Sequence, residues 1–395
     1  MDSGDARGDA RGDARDNMWA LTYFYTGPVK KVAARSGLWL AGPGASMMLR
    51  SLAKADGGAS RVHMSDRSAM WPNDCIMLPT SALACKNPFP KDRRVQFLEG
   101  PHVYYVFDEA AMANQAERIQ QMRQLPESEM AAALAAAPEL ATRAKLSVTG
   151  LVHSPFPIFD PRTVLAKMPM ERKLERYAQT DDRTIAEKWN RDNACSAARG
   201  TTLHAAIEVY FNTGYASLDT RIGPEMAQVK AFVEWLDGQD IEAVRTEPVL
   251  AMAVGNDVLC GSVDFLGKHR RTGQYYILDW KCTGKELKPT ADGAFGWGTG
   301  AFDGMENLPF HHYSLQLHMY RLMFQSPGYD LTIPVENLLL VRFHRDTADG
   351  SFEVVPCAEY SAMAQELLDN YPTYLQLSTE HKQQQADIDK WMAGK

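Results

Sequence analysis

The chain has 395 residues, 45% apolar and 10% aromatic, enough for one large domain or two ordinary ones with a proper core. A formal net charge of −7 argues against a general nucleic-acid coat but leaves room for a local basic groove. No apolar run approaches the roughly 18 residues that a bilayer-spanning helix needs, so the sequence reads as soluble, with no membrane partner.

The cysteines, Cys75, Cys85, Cys195, Cys260, Cys282 and Cys357, include no CxxC pair. Their spacing fits neither a zinc site nor a compact iron–sulfur site, and free thiols in a reducing compartment are expected. The first residues lack the basic, apolar and small-residue zones of a secretory signal, and their Asp content does not suit a mitochondrial presequence. An intracellular location, cytoplasm or nucleus, is the expectation.

In chain order, residues 1–17 carry three GDAR tetrads, too polar to bury anything, and read as a disordered tail. Residues 18–144 read as an irregular N-terminal region with a helical insertion. "WALTYFYTG" and "GLWLAGPG" suggest short strands or buried turns, and "HVYYVFDE" (102–109) suggests a strand. Between them, "MWPNDCIMLPTSALACKNPFPKDRR" holds too much Pro and Asn for long regular elements. The Ala-, Gln- and Glu-rich residues 109–144 predict one or two helices.

The main domain is expected over 145–380, followed by a tail at 381–395. "DDRTIAEKWNRDNACSAARG" predicts a helix with Asp181 or Asp182 as N-cap and Gly200 as its stop. "GTTLHAAIEVYFNTG" predicts a second, capped by Thr201 or Thr202 and ended by Gly214, and a third spans 224–238. Three β-rich runs follow: "AVRTEPVLAMAV", "VLCGSVDFLG" and "YYILDWKCT". After a Gly-rich loop, "PFHHYSLQLHMYRLMFQ" reads as helix, "ENLLLVRFHRD" and "SFEVVP" as a hairpin around "TADG", and "EYSAMAQELLDNYPTYLQL" as a closing helix. This order implies an α/β or α+β fold, a central mixed β-sheet flanked by helices.

Two carboxylates, Asp264 and Asp279, stand inside these apolar runs, where an unpaired ionised group would be costly. A hairpin centred between Arg271 and Thr272 pairs residues whose numbers sum to 543, which sets Asp264 opposite Asp279. Their Cβ atoms would then lie about 4.5–5.5 Å apart, an arrangement that asks for a cation between them. Lys281 shares the face of Asp279, while Trp280 points the other way. The cluster is either a buried Asp–Lys ion pair or an oxygen-rich site for a divalent cation beside a lysine. His204 and Glu208, four apart, share one helix face, and Gln316 and Tyr320 repeat the spacing on a later helix.

The ordered series "GTTLHAAIE", "GSVDF", "ILDWK" and "QLHMY" resembles the RecB-type branch of the PD-(D/E)XK nuclease superfamily, over about residues 145–380. That branch includes nuclease domains of bacterial recombination helicases and phage and viral exonucleases. The resemblance implies a restriction-endonuclease-like core in which His204, Asp264, Asp279 and the main-chain carbonyl of Trp280 hold Mg²⁺ or Mn²⁺. It assigns Lys281 to the attacking water and the phosphorane, and Gln316 and Tyr320 to the support of Lys281 and the bound backbone. Glu247, in "RTEPVL", matches an acidic residue one strand earlier, and Glu208 is a candidate helix carboxylate.

Only Cys357 lies in the C-terminal stretch, so no iron–sulfur cluster is expected, and the absence of GxxxxGK[ST] leaves any helicase or recombination factor as a separate partner. Lys285, Lys288, "KHRRTG" and the Arg342, His344 and Arg345 of "VRFHRD" are candidate phosphate contacts, with "MERKLERYAQTDDR" as a further edge. The function so implied is a metal-dependent exonuclease on DNA, single- or double-stranded with free ends, in recombination, repair or end processing. A structure-specific endonuclease and a catalytically silent DNA-binding module are the alternatives.

Overall fold

A computed structural model of the chain describes residues 82–394 apart from 99, 218, 291–295 and 348–349. The GDAR tetrads, "WALTYFYTG", "GLWLAGPG" and Cys75 lie outside these described residues. Helix α1 (Ala82–Lys86) leads to strands β1 (Val95–Leu98) and β2 (Val103–Phe107). Helices α2 (Glu109–Asn114), α3 (Ala116–Arg123) and α4 (Glu127–Ala135) then precede β3 (Ala141–Arg143). Over its described residues, the region expected to be irregular is built of regular elements. β1, β2 and β3 form an antiparallel sheet, and Phe107, Ile119, Leu134 and Leu140 give it a core of its own. Its strands are three to five residues long, too short for alternation to show in the sequence.

Next come β4 (Leu146–Ser147), α5 (Val148–His153), α6 (Pro161–Lys167) and α7 (Met170–Tyr177). Helix α8 (Asp182–Thr213) is one element of 32 residues, so Gly200 does not stop it. A mid-helix glycine costs about 1 kcal/mol, which burial at both ends of the helix outweighs. Ile185 and Ala186 anchor one end, while Leu203, Ala206 and Ile207 anchor the other. Thr201 and Thr202 do not cap; their hydroxyls donate back to the carbonyls of Ala197 and Ala198. The caps are Asp181, whose side chain accepts from the Thr184 N–H, and Gly214 at φ 75°.

After α9 (Gly223–Gly238), the first two β-rich runs each divide. They give β5 (Ile241–Thr246), β6 (Val249–Val254), β7 (Asp257–Ser262) and β8 (Phe265–His269), followed by β9 (Tyr275–Lys281). Then come α10 (Pro309–Gln325), β10 (Leu338–Arg342), β11 (Glu353–Pro356), α11 (Ser361–Asp369) and α12 (Tyr371–Met392). The central sheet has the order β11-β10-β9-β8-β5 and is mixed, since β10 runs parallel to β9 and the other neighbours are antiparallel. A second sheet has the order β4-β7-β6. The α+β class with a mixed sheet flanked by helices is therefore the observed one.

Three further expectations are corrected. The closing helix is two helices, and residues 381–392 are not a separate tail, because α12 continues to Met392 with Ile388 buried and Trp391 packed on the Leu165 and Ile185 cluster. Cys195, Cys260, Cys282 and Cys357 are free thiols, but Cys85 is disulfide-bonded.

The two faces of β9 serve different ends. Leu278 and Trp280 join Phe232, Phe265 and Phe343 in the core beneath α8 and α9. Ile277 faces the opposite core with Leu315 and Tyr320 of α10, and strand alternation places Asp279 and Lys281 on that side too. Gly261 of β7 lets α10 and α5 close on this region. A Cβ there would stand 2.7 Å from Tyr320 Cε1 and 2.9 Å from Val148 Cγ2. Gly261→Ala is therefore expected to lower stability by about 1–3 kcal/mol, the usual cost of overpacking, in denaturant titrations. An unchanged midpoint would show that the close approach relaxes freely.

Candidate active site

The β8–β9 pairing runs Phe265↔Leu278, Leu266↔Ile277, Gly267↔Tyr276 and Lys268↔Tyr275, the register that the turn position implies. Asp264 stands at the start of β8 beside the end of β9, and its Oδ2 accepts the Trp280 N–H at 2.6 Å. Glu247 sits between β5 and β6, its N–H donating to the Asp264 carbonyl at 3.0 Å. At φ 48° Glu247 occupies the left-handed region, a strained position for a residue with a Cβ and one found preferentially at functional sites. The Ser262 hydroxyl donates to its Oε2 at 3.1 Å.

Helix α8 delivers His204 to the same point. Its Nδ1 lies 3.5 Å from Glu247 Oε1 and 3.5 Å from Asp264 Oδ1, and its Nε2 is 3.2 Å from the Trp280 carbonyl. Among the described residues, His204, Glu247 and Asp264 form the group whose ligand atoms all lie within 4.8 Å of one another. Donors about 3.5 Å apart suit a metal ion bound at roughly 2.0–2.6 Å from each. Glu247 is the third of these groups, and Asp279, which the sequence reading gave as a ligand, is not among them.

Asp279 turns instead to Lys281, whose Nζ lies 2.6 Å from its Oδ2. Both are largely buried, Lys281 keeping 17% of its side-chain surface exposed. Burial pushes the Asp279 carboxyl up to about 7 despite Lys281, and Asp264 adds to the rise. Burial also opposes the Lys281 ammonium, but Asp279 and Asp264 outweigh it and raise its pKa. For His204 burial would favour the neutral ring, yet Asp264 and Glu247 prevail and push its pKa up to about 10. Asp264 is likewise burdened by burial but held below the usual carboxylate range by His204 and Lys281. The site thus sets two cations among buried acids, with the Asp279 carboxyl protonatable near neutrality.

Gln316 Nε2 donates to the Tyr320 hydroxyl at 3.0 Å, so the QxxxY pair is a contact as well as a spacing. Sequence reasoning missed Tyr313, whose ring centroid lies 4.1 Å from the Lys281 ammonium. The signal was available: Tyr313, Gln316 and Tyr320 recur at i, i+3 and i+7 along α10. Beside Tyr313, His312 meets His153 of α5 with ring centroids 4.3 Å apart. Glu208 is buried one turn beyond His204, outside the three-ligand group.

The expected phosphate contacts fare unevenly. Lys285 and Lys288 are exposed on the loop after β9, Lys288 paired with Glu286. Arg342 is buried, ion-paired with Glu353 and bonded to the Thr283 carbonyl at 3.2 Å, so it is not a free cation. Arg345 is bonded to Glu225 at 3.2 Å, and His344 lies half-buried 3.5 Å from Asp346. Arg270 and Arg271 pair with Asp237 and Asp240 at the hairpin end opposite Asp264 and Asp279, which removes "KHRRTG" from the cleft.

No protein-family model and no curated protein sequence matches the chain. Among solved structures, the chain is similar to a protein called SSO0001 at 18% identity and a TM-score of 0.24, over 57% of this chain and 73% of that one. It is also similar to a Eubacterium rectale protein named "Putative exonuclease" at 13% identity and a TM-score of 0.31, over 60% of this chain and 82% of that one. Likenesses this distant carry no argument about activity.

Proposed function

We propose that this chain is a divalent-metal-dependent nuclease that hydrolyses phosphodiester bonds of DNA, working from free ends in recombination, repair or end processing. The observation that carries the reading is the convergence of His204, Glu247 and Asp264 beside the buried Asp279–Lys281 pair. His204 with the two carboxylates would hold Mg²⁺ or Mn²⁺, which supplies a bound water of lowered pKa and charge stabilisation at the phosphoryl oxygen. The protein's own part is positioning. Asp279 and the Tyr313 ring fix the Lys281 ammonium, so that it can offset charge developing on the phosphate without reorganising. Acidic residues alone would repel DNA, so the reading requires the cation. Lys285 supplies an exposed positive charge for the DNA backbone on the loop leaving β9.

Digestion of end-labelled linear DNA and closed circular DNA, each with Mg²⁺, Mn²⁺ or EDTA, tests the proposal. Metal-dependent release of nucleotides from linear DNA alone is the expected result. Cleavage of the circle would reassign the site to an endonuclease, and no cleavage of either with both metals would overturn the reading.

A further inference from the structure

The loop between Lys281 and α10 holds Trp297 with 53% of its surface exposed, although the backbone around it is tightly built. The Gly298 N–H donates to the Met305 carbonyl at 2.8 Å, and the Asn307 N–H to the Gly296 carbonyl at 3.0 Å. Thr299 donates to the Pro155 carbonyl through both its N–H and its hydroxyl, each at 3.0 Å. A Cβ on Gly298 would stand 2.5 Å from the Phe302 carbonyl oxygen, and the Phe302 side chain is fully buried. An indole would gain from burial. This loop instead pins one in water.

Further rings lie nearby, Phe159 exposed and Tyr177 and Trp189 partly buried against the Leu165 and Ile185 cluster. Gly296 lies against Pro157, and two residues on, Phe159 is 47% exposed with its ring 5.7 Å from that of Trp189 on α8. Tyr177 meets Trp189 at 5.9 Å, and the Arg176 guanidinium lies 5.7 Å from the Tyr177 centroid. Of the cations in 161–202, Arg162, Lys173, Lys188, Arg191 and Arg199 are ion-paired, whereas Lys167, Arg172, Arg176 and Arg183 form no ion pair among the described residues. Each end of this group of rings shares a chain segment with the site. Trp297 is on the loop that joins Lys281 to the helix of Tyr313. Trp189 lies on the same helix as His204, about 22 Å along it at 1.5 Å per residue.

From this arrangement we propose that Trp297, Phe159, Trp189 and Tyr177 form a stacking track for an unpaired nucleic-acid strand passing the active site. The role rests on the nuclease reading above. Aromatic faces interleaved with cations suit a strand whose bases are free to stack, whereas a duplex keeps its base faces covered. Sequence tolerance follows, because every base offers a π-face.

The test compares fluorescently labelled oligothymidylate with an abasic strand of equal length, by anisotropy on the full chain with Ca²⁺ in place of Mg²⁺. The wild-type protein should bind the base-bearing strand roughly 5- to 150-fold more tightly. Trp297→Ala should erase most of that preference and Trp297→Phe should retain part of it, with thermal melts confirming that both variants fold. Equal binding of the two strands by the wild type, or a preference that survives Trp297→Ala, overturns the track. Self-association that Trp297→Ala abolishes, with base-independent DNA binding, would overturn it in favour of a second copy of the chain. Hydrolysis of labelled single-stranded and duplex DNA with Mg²⁺, measured in parallel, separates the two readings: hydrolysis of either with base-independent binding sinks the track alone, and base-dependent binding with neither hydrolysed sinks the nuclease.

Discussion

Lys281→Ala is expected to lower single-turnover DNA cleavage a hundred- to thousandfold while leaving a folded protein that still binds Mn²⁺. One positioned charge is worth about 2.7–4 kcal/mol in a transition state that develops negative charge. The competing view makes Lys281 a structural counter-ion for Asp279, whose removal would cost about 3–5 kcal/mol of stability. The Asp279 carboxyl decides how large that cost can be. It already titrates near 7 with the ammonium 2.6 Å away, so without Lys281 it takes up a proton at neutral pH instead of remaining as an orphaned anion. A carboxyl with a folded pKa above its unfolded value binds a proton in the native state alone, so stability falls as pH rises from about 4 toward the folded pKa. In the wild type that decline ends near 7, and in Lys281→Ala it continues above 7. Calorimetry at pH 6 and pH 9 should therefore show a small stability loss at the lower pH and a larger one at the higher. Lys281→Arg should not restore activity, because a planar guanidinium cannot take the compact position between Asp279 and the Tyr313 ring. A destabilised but fully active Lys281→Ala protein would refute the proposed mechanism.

What the sequence disclosed about this site is what local rules govern. The β8–β9 register followed from one turn, because a two-fold side-chain period and a fixed hairpin centre determine every pair. That Gln316 and Tyr320 share a helix face followed from helical spacing. The identity of the third carboxylate near His204 did not, since it depends on how the β5–β6 connection folds Glu247 back at φ 48° against Asp264, a tertiary matter. Arg342 and Arg345 looked like free cations because their partners, Glu353 and Glu225, belong to other elements. Gly200 looked like a helix stop because local propensity is weighed without the burial of Leu203 and Ile207 just beyond it. The last turns of α12 read as a tail for a related reason: Ile388 and Trp391 are isolated apolar residues in a polar run, and their packing partners lie some 200 residues earlier in the chain.

Binding of Mn²⁺ to the metal-free protein is expected to release a proton and to tighten steeply with pH. Asp264 and Glu247 both face His204 Nδ1, and despite burial they push the pKa of the ring up to about 10. At pH 7 the imidazole is therefore charged, and an ion that takes Nδ1 must displace its proton. Affinity should rise about tenfold per pH unit below 10, a slope that follows from one proton exchanged per ion. The same group sets the alkaline stability of the metal-free protein. A histidine with a raised folded pKa contributes stability that is fully present below about 6.5 and is lost as pH climbs through its folded pKa of about 10. Melting temperature should accordingly fall between pH 7 and pH 10 without metal, and His204→Ala should abolish both that fall and the proton release. Asp279 titrates near 7 as well, so the measurement belongs in an Asp279→Asn background, where His204 is the remaining source of the proton. Titration calorimetry in buffers of different ionisation enthalpy counts the protons directly. An Mn²⁺ affinity that stays constant between pH 6 and pH 8 in that background would mean that the ion does not bind at Nδ1, and the ligand set proposed here would be wrong.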